Sequence, residues 1–392
     1  MAKKPIYVVL GETKIPFLRG ILTQSLLDVG LNFKEAYAIA NKTRNKLKDQ
    51  TNITRKKIKK IVIELLRKEF GEEVALGYIY RSEPSPPTII VEGGEPSIPF
   101  SKGILARSIL ASGLDHGSAY EVAKLIEEKL AKKEGTVSNR FIRQMTYQTL
   151  MEKYGLSYAQ RYLIWRKYKN SDKPVIILMG GPTGSGKTSL SAELAHRLGF
   201  TRLICTDSVR QIMRIMFSKD LLPSIHSSSY DAWKQLSFPI TEKDDPVIIS
   251  FREQSVRVSA GIRALIDRAI EENYNMILDG VHIVPGFINF SSYRAKAHIF
   301  PLTVVVLDKE IYRQRFVIRK ELSPRRPYER YLANFDSIIK IQNFLIEMAE
   351  QYNYPIISNI DFEKTVITII KLASEFMLKK NKKSLNLELI DK

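Results

Sequence analysis

Residues 175–190, VIILMGGPTGSGKTSL, pass from an unbroken apolar run through a glycine-rich turn into a stretch with helical spacing. An apolar run this short, bounded by the polar KNSDKP before it and by glycines after it, reads as a strand buried on both faces. The following Gly181, Pro182, Thr183, Gly184, Ser185, Gly186, Lys187, Thr188 and Ser189 satisfy the spacing GxxxxGK[ST] from Gly181 to Thr188. Between a strand and a helix, that spacing makes a phosphate cradle. Loop amides and the positive end of the helix face the phosphates, Lys187 reaches the β- and γ-phosphates of ATP, and the Thr188 hydroxyl holds Mg2+. Strand, loop and helix together open a parallel βαβ domain, so the C-terminal half reads as α/β with a doubly wound parallel sheet.

Working outward, further strands are expected at Arg202–Cys205, Met276–Asp279, Leu302–Leu307 and Pro355–Ile357. The string ICTDSVRQIMR places Asp207, Arg210 and Arg214 at the carboxyl edge of the sheet, where open α/β sheets bind ligands. Asp207 is a candidate to accept the proton of an attacking hydroxyl, and equally the N-cap of the next helix; one residue can serve both roles. Arg210 and Arg214 suit an anionic acceptor through forked hydrogen bonds. In NMILDGVHIVPG, Asp279 ends a strand and can ligate Mg2+ through water, Gly280 lets the backbone turn close to a ligand, and His282 is expected to point into the cleft. A histidine held by structural hydrogen bonds is the alternative. The string IHSSSYDAW offers His226, Ser228 and Tyr230 to a phosphate or carboxylate. Arg313, Arg315, Arg319, Arg325, Arg326 and Arg330 crowd one late segment, which reads either as a lid over the moving phosphoryl group, with Arg319 as its candidate contact, or as a solvated helix face.

The N-terminal half repeats itself. IPFLRGILTQSLLDVGLNFKEAYAIA from Ile15 aligns with IPFSKGILARSILASGLDHGSAYEVA from Ile98. ITRKKIKKIVIELLRKEFGEEVALGYIYR from Ile53 aligns with VSNRFIRQMTYQTLMEKYGLSYAQRYLIW from Val137. Each copy reads as one or two short strands (Ile6–Leu10; Thr88–Val91) followed by three or four helices, with turn glycines at Gly30 and Gly113 and helix starts at Asn32 and Asp115. Proline-rich SEPSPPT, residues 82–88, separates the copies. The chain therefore divides into residues 1–83, 84–170 and 171–392, and the charged tail LKKNKKSLNLELIDK reads as weakly ordered.

At 392 residues the chain exceeds one compact core, and its 44% hydrophobic content fits globular packing. It holds no apolar run of the roughly 18 to 20 residues a membrane-spanning helix needs, and MAKKPIYVVL lacks the core of a signal peptide, so a cytoplasmic protein without membrane partners is expected. Cys205 is the sole cysteine, which excludes an intramolecular disulfide and a thiolate metal cluster. A net charge of +19 draws anions. Nucleic acid and a charge-rich surface spread for stability both fit that excess, but no aromatic-interleaved basic patch supports the first.

GGPTGSGKTS, TDSVRQIMR, HSSSYDAW and DGVHIVPG, in this order, resemble the archaeal 2-phosphoglycerate kinases, and IPFSKGIL with its earlier copy IPFLRGIL resembles a diverged ATP-cone. The likeness covers nearly the whole chain. It implies a P-loop kinase preceded by two mainly helical ATP-cone-like repeats. The implied reaction phosphorylates 2-phosphoglycerate at its 3-hydroxyl to 2,3-bisphosphoglycerate, with ATP and Mg2+. In such a kinase Lys187, Asp207 and Arg319 would serve the transfer, Thr188 and Asp279 the metal, and Arg210, Arg214, His226, Ser228, Tyr230, Gly280 and His282 the acceptor. ATP-cones elsewhere bind nucleotide, but neither copy here carries that family's basic, glycine-containing stretch between its first strands; packing or homo-oligomer formation is the other role open to them. A kinase for another phosphorylated polyol or sugar acid, such as an inositol phosphate, or a nucleic-acid-associated P-loop ATPase, are the competing functions.

Overall fold

The computed structural model describes residues 6–10, 13–17, 19–27, 29–48, 50–82, 90–92, 98–131, 136–169, 171–235, 244–322 and 328–380. It divides into two compact units, Met1–Thr88 and Ile89–Lys392. In the first, β1 (Tyr7–Leu10) and β2 (Thr13–Pro16) form an antiparallel hairpin and β3 (Asn52–Thr54) joins β1 in parallel. Helices α1 (Arg19–Leu27), α2 (Phe33–Lys46), α3 (Arg55–Phe70) and α4 (Glu72–Ser82) bury Leu26, Ile39, Val62, Leu66 and Ala75 in one core.

The second unit opens with the same series. Its β4 (Ile90–Glu92) pairs antiparallel with β5 (Ile98–Pro99) and parallel with β6 (Val137–Ser138), beside α5 (Lys102–Leu110), α6 (His116–Ala131), α7 (Asn139–Tyr154) and α8 (Leu156–Tyr168). Residues that align in the sequence do the same local work. Thr54 and Ser138 accept from the Lys57 and Phe141 amides to cap α3 and α7, and Gly71 and Gly155 follow those helices at φ 88° and 93°. Asn32 caps α2 in a box with Glu35, and Asp115 accepts from the Ser118 amide at the start of α6. The proline-rich boundary, residues 83–88, and the tail from residue 381 lie outside the described residues.

The rest of the unit is built on β7 (Val175–Gly180), β8 (Arg202–Cys205), β9 (Met276–Gly280), β10 (His298–Val305) and β11 (Ile356–Ser358), an all-parallel sheet of order β11-β10-β7-β9-β8. All of β7 is buried, and its side chains alternate between two apolar layers. Val175, Ile177 and Met179 meet Leu190 and Leu194 of α9 (Lys187–Leu198) and Ile369 and Ile370 of α15 (Phe362–Lys380). Ile176 and Leu178 meet Val258, Ile262 and Ile266 of α11 (Pro246–Glu271). Each such fully buried side chain contributes roughly 1.5–3 kcal/mol. Strands β8 and β9 lie to one side of β7, β10 and β11 to the other, so the crevice beyond the carboxyl end of β7 is the topological switch point. Around it run α10 (Thr206–Met216), α12 (Lys309–Leu322), α13 (Tyr328–Ala333), α14 (Phe335–Gln351) and short 3-10 turns at Pro223–His226 and Ala232–Gln235.

Strand β10 departs from the sequence reading: it begins at His298 rather than Leu302 and ends at Val305. Pro301 argues against a strand interior, yet the site tolerates it. The Thr303 amide donates toward β11, so by alternation the Pro301 nitrogen faces the same edge, and β11 pairs no further back than Thr303. On that open edge proline forfeits no ladder bond.

Helix α8 is built into the sheet domain. Ile164, Trp165 and Tyr168 share the layer of Leu190 and Phe200, and the Trp165 indole donates to Ser374 Oγ at 2.9 Å. Arg197, its side chain 0% exposed, donates to Glu193 at 2.7 Å, to Glu363 at 2.7 Å and to the Leu114 carbonyl at 3.4 Å. Losing the cation opens a hole and removes the donor shared by Glu193, Glu363 and the Leu114 carbonyl, of which Glu193 keeps His116 at 3.0 Å. Arg197→Ala is therefore expected to cost about 3 kcal/mol in urea unfolding; a cost below about 1 kcal/mol would mean the network behaves as a surface ion pair.

Candidate active site

The loop Gly181–Thr188 follows β7 at the switch point. Gly184 and Gly186 hold φ of 86° and 89°, and a Cβ there would stand 2.5 Å from the Phe316 ring or 2.4 Å from Asn359 Nδ2, so both backbone and space require glycine. The loop is tied from behind. The Tyr312 hydroxyl donates to the Thr183 carbonyl at 2.6 Å, Asn359 Nδ2 to the Ser185 carbonyl at 2.8 Å, and Arg315 Nη1 to the same oxygen at 3.2 Å. Arg315 Nη2 also donates to the Asn359 carbonyl. Lys187, first residue of α9, is buried and donates from Nζ to the Pro182 carbonyl at 2.7 Å.

Thr188 Oγ1 donates to Asp279 Oδ2 at 2.9 Å. Asp279 is 1% exposed near the end of β9, and its Oδ1 is buried without a hydrogen bond. Burial raises its pKa above the ordinary carboxylate value; Thr188, Lys187 and the Cys205 thiol pull the other way, and the neighbouring Asp207 adds to the rise. A buried carboxylate oxygen with no donor, beside a hydroxyl, suits a hard cation such as Mg2+, which takes one or two carboxylates and completes its shell with phosphate oxygens and water.

Facing this corner are α10 and the Ile225–Trp233 loop. Cys205 precedes α10 and makes no capping bond, and Asp207 sits within the first turn, so the N-cap reading of Asp207 does not hold. Its carboxylate is 65% exposed, 3.5 Å from Arg210 Nε. Arg210 reaches back into the protein, donating to the Ile225 carbonyl at 3.0 Å and the Ser227 carbonyl at 2.9 Å, while Arg214 bonds Gln211 on its own helix. His226 Nε2 lies 3.0 Å from the Phe217 carbonyl and must be its donor. Tyr230 is buried, with its ring edge-on to Tyr331. Gly280 has φ 155°, and a Cβ on it would collide with Thr206 Oγ1. His282 does not point into the cleft: at 1% exposure it bonds Thr206 Oγ1 through Nδ1 at 2.9 Å and Gln254 Oε1 through Nε2 at 3.0 Å. Desolvation pushes its pKa down to about 4, so the ring is neutral at physiological pH.

Profiles of two families match this chain: the ATP cone domain over residues 94–171 and the Zeta toxin over residues 160–350. Proteins named 2-phosphoglycerate kinase from Pyrococcus horikoshii and Pyrococcus furiosus are each 40% identical to it over 284 residues, spanning 72% of this chain and 92% of theirs. One of the same name from Methanothermobacter thermautotrophicus is 36% identical over 301 residues, 75% of this chain and 96% of that one. The chain belongs to the 2-phosphoglycerate kinase family. It is a phosphotransferase with a P-loop kinase domain and a preceding ATP-cone region. Among the described residues no helix is long and apolar enough to cross a membrane.

In this 2-phosphoglycerate kinase family member the late arginines part ways. The Arg319 side chain, Arg325 and Arg326 lie outside the described residues. Arg313 lies over the Phe335 ring at 4.9 Å. Arg330 donates to Asp231 Oδ2 at 2.9 and 2.7 Å while Lys234 donates to Oδ1 at 2.7 Å, tying the Ile225–Trp233 loop to α13. Arg315 alone of those described meets the P-loop. The sequence points instead to Arg319, one turn further along α12, and nothing in it distinguishes Asn359, Tyr312, Asp231, Thr206 and Gln254. For Gln254 the nearest sequence signal is a polar residue at a position spaced with the apolar face of its helix; what each of them bonds is not written in its own surroundings.

Proposed function

We propose that the enzyme transfers the γ-phosphoryl group of ATP to the 3-hydroxyl of 2-phosphoglycerate, giving 2,3-bisphosphoglycerate, with Mg2+ as its metal. The observation that carries the reading is the Thr188–Asp279 pair beside Lys187, set across the switch point from a loop of hydroxyls and an arginine, in a chain this similar to proteins of that name. Asp207, exposed at the start of α10, accepts the proton of the attacking hydroxyl. The new oxygen–phosphorus bond forms as the bond to the β-phosphate oxygen breaks, and Lys187 offsets the charge that moves toward ADP. Mg2+, held by Thr188 and Asp279, would neutralise the β- and γ-phosphate oxygens. Ser228 and the Arg210 edge meet the anionic acceptor.

Full-length protein with ATP and Mg2+ is offered a panel of phosphorylated three- to six-carbon acids and polyols, with products identified by 31P NMR. Conversion of 2-phosphoglycerate is the expected result. Turnover of an inositol phosphate or another polyol in its place overturns the acceptor assignment, and ATP hydrolysis stimulated only by nucleic acid overturns the metabolite kinase altogether.

A further inference from the structure

Gln254 stands in the middle of α11, on the face that otherwise buries Val247, Phe251, Val258 and Ile262, and it is 0% exposed. A primary amide placed there is tolerated only if its polar atoms find partners. Its Nε2 donates to the Ser224 carbonyl at 2.5 Å and to the Ser227 carbonyl at 3.0 Å. Two carbonyl partners fix the amide's orientation, so Oε1 faces His282 and accepts from Nε2 at 3.0 Å. His282 Nδ1 is then the acceptor, and the Thr206 hydroxyl donates to it at 2.9 Å. One chain of hydrogen bonds thus runs from the Ser224–Ser227 turn through α11 and the segment after β9 to the residue before Asp207. Arg210 seizes the same turn from the other side, through the Ile225 and Ser227 carbonyls.

We infer that Gln254 is the positioning residue for acceptor binding: its amide holds the Ser224–Ser227 turn in register with His282 and with the Thr206–Asp207 start of α10. The inference rests on the acceptor assignment above. It explains why a buried helix carries an amide at this position. Glutamate offers the oxygen for His282 but no donor for the two carbonyls, leucine offers neither, and asparagine is a methylene too short. The P-loop is held by a separate set, Tyr312, Arg315 and Asn359, that shares no bond with this chain. Acceptor binding and ATP binding are therefore separable in mutants.

The test uses full-length Gln254→Leu and the near-isosteric Gln254→Glu. Each is expected to raise the acceptor KM about tenfold or more while the ATP KM stays within about twofold. In Gln254→Glu the carboxylate favours a protonated His282, so the pH profile of acceptor KM between about 5 and 8 should depart from that of the native enzyme, in which the acceptor phosphate titrates over the same window. Hydrogen exchange gives a readout that needs no substrate: amides in residues 217–233 should exchange about tenfold faster in both variants, with the P-loop segment unchanged. Equal rises in both KM values, or unaltered exchange in 217–233, overturn the role of Gln254. If the native enzyme turns over a different acceptor, the acceptor assignment falls alone, and the same KM split on that acceptor, with the exchange data, still decides the role of Gln254.

Discussion

Lys187→Ala is expected to lower kcat by at least about a thousandfold, the scale of losing a charge placed where negative charge develops in phosphoryl transfer. Lys187 opens α9 and is buried within the loop it serves, with Nζ 2.7 Å from the Pro182 carbonyl, so water cannot take its place without rearranging the loop. Because the ammonium acts on charge that builds as the γ-phosphoryl moves, the loss falls mainly on kcat and only weakly on the ATP KM. Lys187→Arg is expected to fare little better, since a planar fork does not fit where a compact ammonium is enclosed by backbone. Steady-state kinetics on the folded variants decide it. Retention of a tenth of native kcat in either variant means that Lys187 is not the transfer-site cation.

Asp279→Asn loses activity and gains stability at neutral pH. Removing the carboxylate that would hold Mg2+ is expected to cost at least about a hundredfold in kcat. The stability change has the opposite sign. Burial is the largest influence on Asp279 and raises its pKa in the fold, so the ligand-free native state binds its proton more tightly than the unfolded chain. A carboxyl of this kind favours folding while protonated, and that stability is lost as pH rises from 3.8 through the raised native value. At pH 7 the native protein carries the full cost of the desolvated charge. Asparagine carries no charge and can still accept from Thr188, so the ligand-free variant should melt at a higher temperature than the native protein at pH 7. The gain should shrink as pH falls toward the ordinary carboxylate range. Calorimetry at pH 5 and pH 7 reads both; a variant less stable than native at pH 7 would show that the Thr188–Asp279 bond outweighs the buried charge.

How much of this was legible in the sequence depends on the range over which each feature is determined. The strand–loop–helix unit at Val175–Leu198 is local: period, glycine spacing and the lysine are all written within a short window, and β7, Gly184, Gly186 and α9 follow them closely. Strands β8 and β9 lie where their sequence ranges place them, whereas β10 begins at His298, ahead of the expected Leu302, because whether Pro301 fits a strand depends on whether a neighbouring strand lies on its nitrogen side. The residues of the switch-point corner were legible as types at strand ends. Their partners were not: His282 reads as a ligand for an acceptor and in the fold bonds Thr206 and Gln254, and nothing in the surroundings of Arg210 tells that it donates to the Ile225 and Ser227 carbonyls.

The sequence by itself determined the class of the domain, its phosphate loop and the internal duplication, because each rests on hydrogen-bond periodicities and backbone restrictions that act within a few residues. Thr54 with Ser138 and Gly71 with Gly155 register the two copies for the same reason. Only the tertiary structure decided which polar side chains are free to meet a ligand and which are consumed inside. A buried donor or acceptor must be satisfied by whatever lies within hydrogen-bonding reach, and for Gln254, Asn359 and Arg197 those partners come from segments far along the chain.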